Sequence, residues 1–120
     1  MENQKETIVA KAYDFMKYAL PILNKMPKDQ RYLLGDRIQT MLADLLERLL
    51  EAYYAPTNQK KAILTQVNLL LEKLRYFFRL GYDLGYYNST RYHDFAAKIN
   101  EIGKMTGGWI KSLDPKRPPQ

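Results

Sequence analysis

The chain contains no cysteine. That excludes a disulfide framework, thiolate catalysis and a zinc–thiolate site, and it permits a reducing compartment. There is one histidine, His93. A metal site would need its imidazole together with carboxylates, and the adjacent Asp94 does not qualify, because successive helical side chains diverge. His93 therefore reads as a surface residue and no metal ligand is assigned. Gly35, Gly81, Gly85, Gly103 and the Gly107-Gly108 pair are dispersed in or beside helices, so there is no glycine-rich phosphate loop. No serine–histidine or paired-carboxylate arrangement is found. The reading is a non-enzyme with no catalytic residue, cofactor or small-molecule substrate. No apolar run approaches the ~18 residues of a membrane span; Leu69-Leu70-Leu71 is bounded by Asn68 and Glu72. Residues 1–11 mix Glu2, Lys5, Glu6 and Lys11 and lack the apolar core of a signal peptide. A soluble, cytoplasmic protein with no membrane partner is expected.

What the chain does have is helical periodicity and positive charge. Its 120 residues suit one domain with a sizeable core. Four helical segments separate at clear breaks. The first covers about Lys5 to Asn24, with Ile8, Ala12, Phe15, Ala19 and Leu23 on one face and Pro21 ending or kinking it. After Lys25-Met26-Pro27-Lys28, Asp29 reads as the N-cap of a second helix that runs to about Tyr54. Its apolar face is Leu34, Ile38, Met41, Leu42, Leu45, Leu46, Leu49 and Tyr53, and Asp44–Arg48 and Arg48–Glu51 stand at pairing distances on its polar side. Ala55-Pro56-Thr57-Asn58 breaks the pattern, with Thr57 or Asn58 capping the third helix and Gly85 ending it. Asn88-Ser89-Thr90 supplies caps for a fourth, whose face is Tyr92, Phe95, Ala96, Ile99, Ile102, Gly103 and Thr106, with Trp109 at the far end. Short links between long helices predict an antiparallel up-down-up-down four-helix bundle over residues 1–112. The proline-rich segment 113–120 reads as a disordered tail.

The stretch from Lys60 to Tyr87 is apolar over more of its surface than one core needs. Ile63, Val67, Leu70, Leu74 and Phe77 make one face, widened by Leu64, Leu71 and Phe78. Leu69, Tyr76 and Leu80 form a second line pointing elsewhere on the helix. A broad exposed apolar surface is usually a contact surface, so self-association is expected, with Leu69, Tyr76, Leu80 and Trp109 at the subunit interface and the stem of Lys73 packing there. Gly103 and Gly107, four apart, would let another helix approach closely.

The net charge is +6, with pI near 9.5, which favours an anionic partner. The surplus is in the second half. Residues 57–86 hold five cations (Lys60, Lys61, Lys73, Arg75, Arg79) against Glu72 and Asp83; residues 89–112 hold Arg91, Lys98, Lys104 and Lys111 against Asp94 and Glu101. Glu72–Arg75 and Arg79–Asp83 stand at helical pairing spacings, so part of this face is read equally well as self-paired. Lys61 has no such neighbour. Lys61, Arg75, Arg79, Arg91, Lys98, Lys104 and Lys111 are the candidate nucleic-acid contacts. The interleaved Tyr76, Tyr82, Tyr86, Tyr87 and Tyr92 could stack on unpaired bases, although tyrosines at helical spacing are more often core or interface residues. Membrane-surface attachment is disfavoured, because the basic residues do not flank one exposed amphipathic helix.

Three blocks together carry a family resemblance: Met26 to Arg37, reading MPKDQRYLLGDR; Asn68 to Gly85, reading NLLLEKLRYFFRLGYDLG; and Glu101 to Lys111, reading EIGKMTGGWIK. In order and spacing they resemble the accessory variability determinant (Avd) proteins of diversity-generating retroelements. Those proteins belong to a wider four-helix-bundle family that includes proteins encoded in ribosomal-RNA intervening sequences. The likeness covers about residues 8–112, with matches at Gly35, Asp36, Arg37, Glu72, Leu74, Arg75, Arg79, Asp83, Leu84, Gly103, Gly107, Gly108 and Trp109. Two places depart from the pattern: Ala55-Pro56-Thr57-Asn58 is less basic, and Thr106 stands where the family has an apolar residue. The resemblance implies a basic, barrel-like homopentamer that binds a reverse transcriptase and RNA or DNA, especially template-repeat RNA, in support of error-prone cDNA synthesis. The competing expectation is a structural interaction module of the intervening-sequence type, with no reverse-transcriptase partner.

Overall fold

The computed structural model describes residues 4–114, and side chains from residue 7 onward. All the regular structure among the described residues is helical: α1 (Gln4–Asn24), α2 (Lys28–Gln30), a π-helical turn (Arg31–Gly35), α3 (Asp36–Tyr54), α4 (Thr57–Asp83) and α5 (Ser89–Ser112). The backbone stays right-handed helical through Arg31, Gly35 and Asp36. Thus α2, the π turn and α3 form one rod, and the protein is a four-helix bundle. Each rod packs on its chain neighbour, and α1 closes the ring against α5. The predicted up-down-up-down architecture is the one observed. The tail expected at 113–120 lies outside the described residues from 115 onward; Leu113 caps α5 and packs half-buried against the core.

Helix α4 has its buried seam at Lys60, Leu64, Val67, Leu71, Leu74, Phe78 and Gly81, alternating steps of four and three. This is the 3.5-residue repeat of coiled-coil-like packing. The seam is turned by one position from the sequence reading, and Ile63, Leu70 and Phe77 are only half-buried. The cause is aromatic packing at the bundle centre. Phe78 stacks on Phe15 of α1 at 5.7 Å and on Phe95 of α5 at 4.2 Å between ring centroids. The expected face of α1 is buried throughout; those of α3 and α5 are buried except at Leu46, Tyr53, Tyr92, Ala96 and Gly103, which are half-buried.

Helix ends account for several local features. Pro27 and Pro56, not Asp29, Thr57 or Asn58, occupy the N-cap positions of the second and third rods. Each proline has an extended ψ and its ring sets φ, so the helix can begin at the next residue without a side-chain cap. Asp29 falls in the first turn, where a carboxylate favours the helix N-terminus. Asn88 caps α5 as expected, accepting from the Arg91 N–H at 2.9 Å. Helix α1 runs through Pro21 to Asn24 rather than stopping there.

The turn after α4 is a Schellman motif. The Tyr86 N–H donates to the Gly81 carbonyl and the Gly85 N–H to the Tyr82 carbonyl, both at 2.9 Å. Gly85 takes φ +80°, a left-handed conformation that suits glycine. Gly81 has a different role. A Cβ there would lie 2.7 Å from Tyr87 Cζ, so its absence admits the Tyr87 ring. Tyr87 then packs edge-on to Phe95 and donates its hydroxyl to the Phe78 carbonyl.

Candidate nucleic-acid interface

Helix α4 presents two outward surfaces. Leu69 and Lys73 line grooves shared with α3 residues Asp44 and Arg37. Along α4 and its C-cap, Leu69, Tyr76, Leu80 and Leu84 are exposed at 58%, 67%, 43% and 55%. The expected interface residues on α4 are thus uncovered within the single chain. Trp109 is different. It is only 3% exposed, inside the core of its own bundle. Its indole lies below Lys60, whose Nζ is 5.9 Å from the ring centroid. Trp109 therefore has no surface to offer a second subunit, and that assignment is corrected.

The other surface of α4 runs beside α5. Arg75 donates through Nε to Glu72 at 3.1 Å and through Nη1 to Asn100 Oδ1 of α5 at 2.6 Å. Arg79 pairs with Asp83 at 3.6 Å. Beyond them Tyr82 stacks on Tyr92 of α5, centroids 4.8 Å apart and planes 9° from parallel. Lys61 stands on the same strip near the start of α4, and Lys104 and Lys111 are exposed on α5. None of these three lysines makes an ion pair among the described residues. The Arg75 and Arg79 pairs are solvent-exposed and worth roughly 0.3–0.5 kcal/mol each. Either guanidinium can therefore exchange its carboxylate for a phosphate at small cost.

The predicted contacts do not form one patch. Arg91 and Lys98 turn towards α1 and flank Tyr18: the Arg91 guanidinium carbon is 5.7 Å and the Lys98 Nζ 4.4 Å from the ring centroid. Arg91 also donates to the Tyr18 hydroxyl at 3.0 Å, and that hydroxyl donates to Asp94 at 2.7 Å.

Lys60, counted in the basic surplus, is not on the surface. It is 7% exposed and donates to the carbonyls of Ala52 and Tyr53 at 2.7 and 2.9 Å. Those groups belong to the last turn of α3, where helical carbonyls lack intrahelical donors. Sequence reasoning missed this; the available signal was a lysine on the seam repeat four residues before Leu64. It also passed over Tyr18 and Lys25, which the fold brings beside Arg91. The signature glycines serve unlike ends. Gly35 is buried in the π turn, whose bond runs from the Asp36 N–H back to the Arg31 carbonyl. Asp36 and Arg37 are exposed. A Cβ at Gly103 would sit 3.9 Å from Leu71, an ordinary contact, one at Gly107 would meet nothing within 4 Å, and Gly108 is exposed, so neither Gly103 nor Gly107 is required by a close helix approach within the chain.

No three His, Asp or Glu side chains converge on a metal-sized site among the described residues. No described helix is long and apolar enough to cross a membrane. A search of curated proteins finds no match to the chain. A family model described as bAvd-like matches residues 7–113, which takes in all of α2 to α5 and most of α1. An all-helical four-rod bundle, with the signature blocks on its second rod, on α4 and on α5, agrees with that match: the chain belongs to the bAvd-like family.

Proposed function

We propose that this protein is a non-catalytic accessory factor of a diversity-generating retroelement, binding template RNA or DNA and the reverse transcriptase to support mutagenic cDNA synthesis. The observation that carries the reading is the bAvd-like match over residues 7–113. The two surfaces of α4 support it. The strip with Lys61, Arg75, Arg79 and the Tyr82–Tyr92 stack offers phosphate contacts beside an aromatic platform for unpaired bases. Lys104 and Lys111 extend it along α5. The apolar line at Leu69, Tyr76 and Leu80 is suited to a second copy of the chain, and a head-to-tail contact whose rotation closes would form a ring such as a pentamer. Phosphate contacts make affinity steeply salt-dependent with little sequence preference. A gel-shift titration at two salt concentrations tests this, and salt-independent binding counts against it. Co-purification with a reverse transcriptase encoded beside the gene tests the partner; a neighbourhood with no such reading frame favours the structural-module reading.

A further inference from the structure

At the end of the bundle where α1 stops and α5 begins, a cleft of about 460 Å³ opens between α1, the start of α2 and the α4–α5 turn. That volume falls in the ~300–1,000 Å³ range of small-molecule sites. We propose that this cleft holds one nucleotide unit, an aromatic base together with its phosphate.

The lining carries two cations, Lys25 and Arg91, and no acidic side chain. Neither cation makes an ion pair among the described residues. Arg91 spends one donor on the Tyr18 hydroxyl, and the guanidinium fork keeps others for an anion. The nearest acid on Arg91's own helix, Asp94, is occupied by the Tyr18 hydroxyl and does not line the cleft. That hydrogen-bonded set fixes the Tyr18 ring, and Arg91 with it. A simple anion would need no flat wall, yet Tyr86 and Pro21 provide flat surfaces for a base, while Tyr18, with Arg91 and Lys98 over its ring, holds Arg91 at the wall. Asn88 uses its carbonyl oxygen on the Arg91 N–H, so its amide nitrogen remains a donor for a base carbonyl. An acidic peptide would satisfy the cations and leave these faces unfilled.

The choice of a nucleotide rests on the nucleic-acid reading above, but the residues lie apart from Arg75 and Arg79. Free nucleotide and a strand terminus share this chemistry. Calorimetric titration of the full chain with uridine 5′-monophosphate should show saturable binding. Lys25→Gln and Arg91→Gln should each weaken it on the order of tenfold, the loss of one charged hydrogen bond. Uridine and inorganic phosphate should each bind at least as much more weakly. Competition by a 5′-phosphorylated single-stranded oligouridylate but not by its 5′-hydroxyl twin assigns the site to strand ends; competition by neither assigns it to free nucleotide. No binding of the monophosphate, binding unchanged in both variants, or equal affinity for inorganic phosphate overturns the proposal. The gel shift of Arg75→Glu/Arg79→Glu reports separately on the α4 strip, so failure at one site is not mistaken for failure at the other.

Discussion

The Lys60 ammonium donates to the Ala52 carbonyl at 2.7 Å, reaching back from the first turns of α4 to the last turn of α3. It makes a second bond to the Tyr53 carbonyl at 2.9 Å and lies 5.9 Å from the Trp109 ring centroid. A positive charge at a helix C-terminus also meets the favourable end of the helix dipole. One buried lysine thus ties the α3–α4 hairpin to α5. Lys60→Met keeps the stem and removes the donors, leaving two carbonyls short of partners. A loss of about 2 kcal/mol is expected, read as a lower urea midpoint with unchanged slope. An unaltered midpoint would show that water replaces the ammonium without penalty. Nucleic-acid affinity should not change, because this charge is not on the surface.

Arg75→Glu/Arg79→Glu should weaken RNA or DNA binding and flatten its salt dependence by up to two phosphate contacts, each contributing ~0.9 to the logarithmic slope on duplex DNA. Helicity by circular dichroism should be preserved, since the pairs being replaced are exposed and weak. Equal affinity in the variant would mean that these arginines do no more than bond Glu72, Asn100 and Asp83.

Leu69→Asp and Tyr76→Asp place a carboxylate on the uncovered line of α4. Both positions are exposed in the single chain, at 58% and 67%, so the bundle should fold normally. Light scattering on a sizing column should report a smaller species than the unaltered protein. If the mass does not change, this line is not the subunit contact.

Gly81→Ala reverses the usual helix rule. Alanine is worth ~1 kcal/mol over glycine inside a helix. Here its methyl would lie 2.7 Å from Tyr87 Cζ, so Tyr87 must leave its seat on Phe95 and the Phe78 carbonyl. A net destabilisation of about 1–2 kcal/mol is expected in chemical denaturation; a stabilised variant would show that the ring relocates freely.

Burial, and to a smaller degree the neighbouring Tyr92, holds the Tyr87 hydroxyl's pKa well above its usual value of 10.0. The folded chain therefore keeps this proton where the unfolded chain releases it. Its contribution is fully present below about pH 10 and is lost as the pH rises from there towards the folded-state value. Tyr87→Phe cannot ionise and loses the bond to Phe78, costing about 1 kcal/mol at neutral pH. The difference in melting temperature between the two proteins should shrink above pH 10. A constant difference would show that Tyr87 ionises alike in both states.

Much of the fold was legible in the chain because it is written in local periodicity. Repeats of three and four, interrupted by Met26-Pro27, Ala55-Pro56 and Gly85, specify four rods, and short links leave them little choice but antiparallel packing. The two lines on α4 were visible for the same reason. The candidate site was legible only in part. Lys60 and Lys61 are adjacent and chemically alike, yet one is buried under α5 and the other faces solvent. Arg91 and Lys98 share a helix with Lys104 but face a different neighbour. A charge count cannot separate these cases, because it does not know which neighbour each face meets.

The sequence by itself determined the helices, their order, the absence of thiol chemistry and the excess of positive charge, since each follows from residue identity and spacing alone. Only the tertiary structure decided that Trp109 is core, that α4 turns by one position to stack Phe78 between Phe15 and Phe95, and that Tyr18, Lys25 and Arg91 meet at one end. Those outcomes depend on how side chains from different rods share a fixed volume.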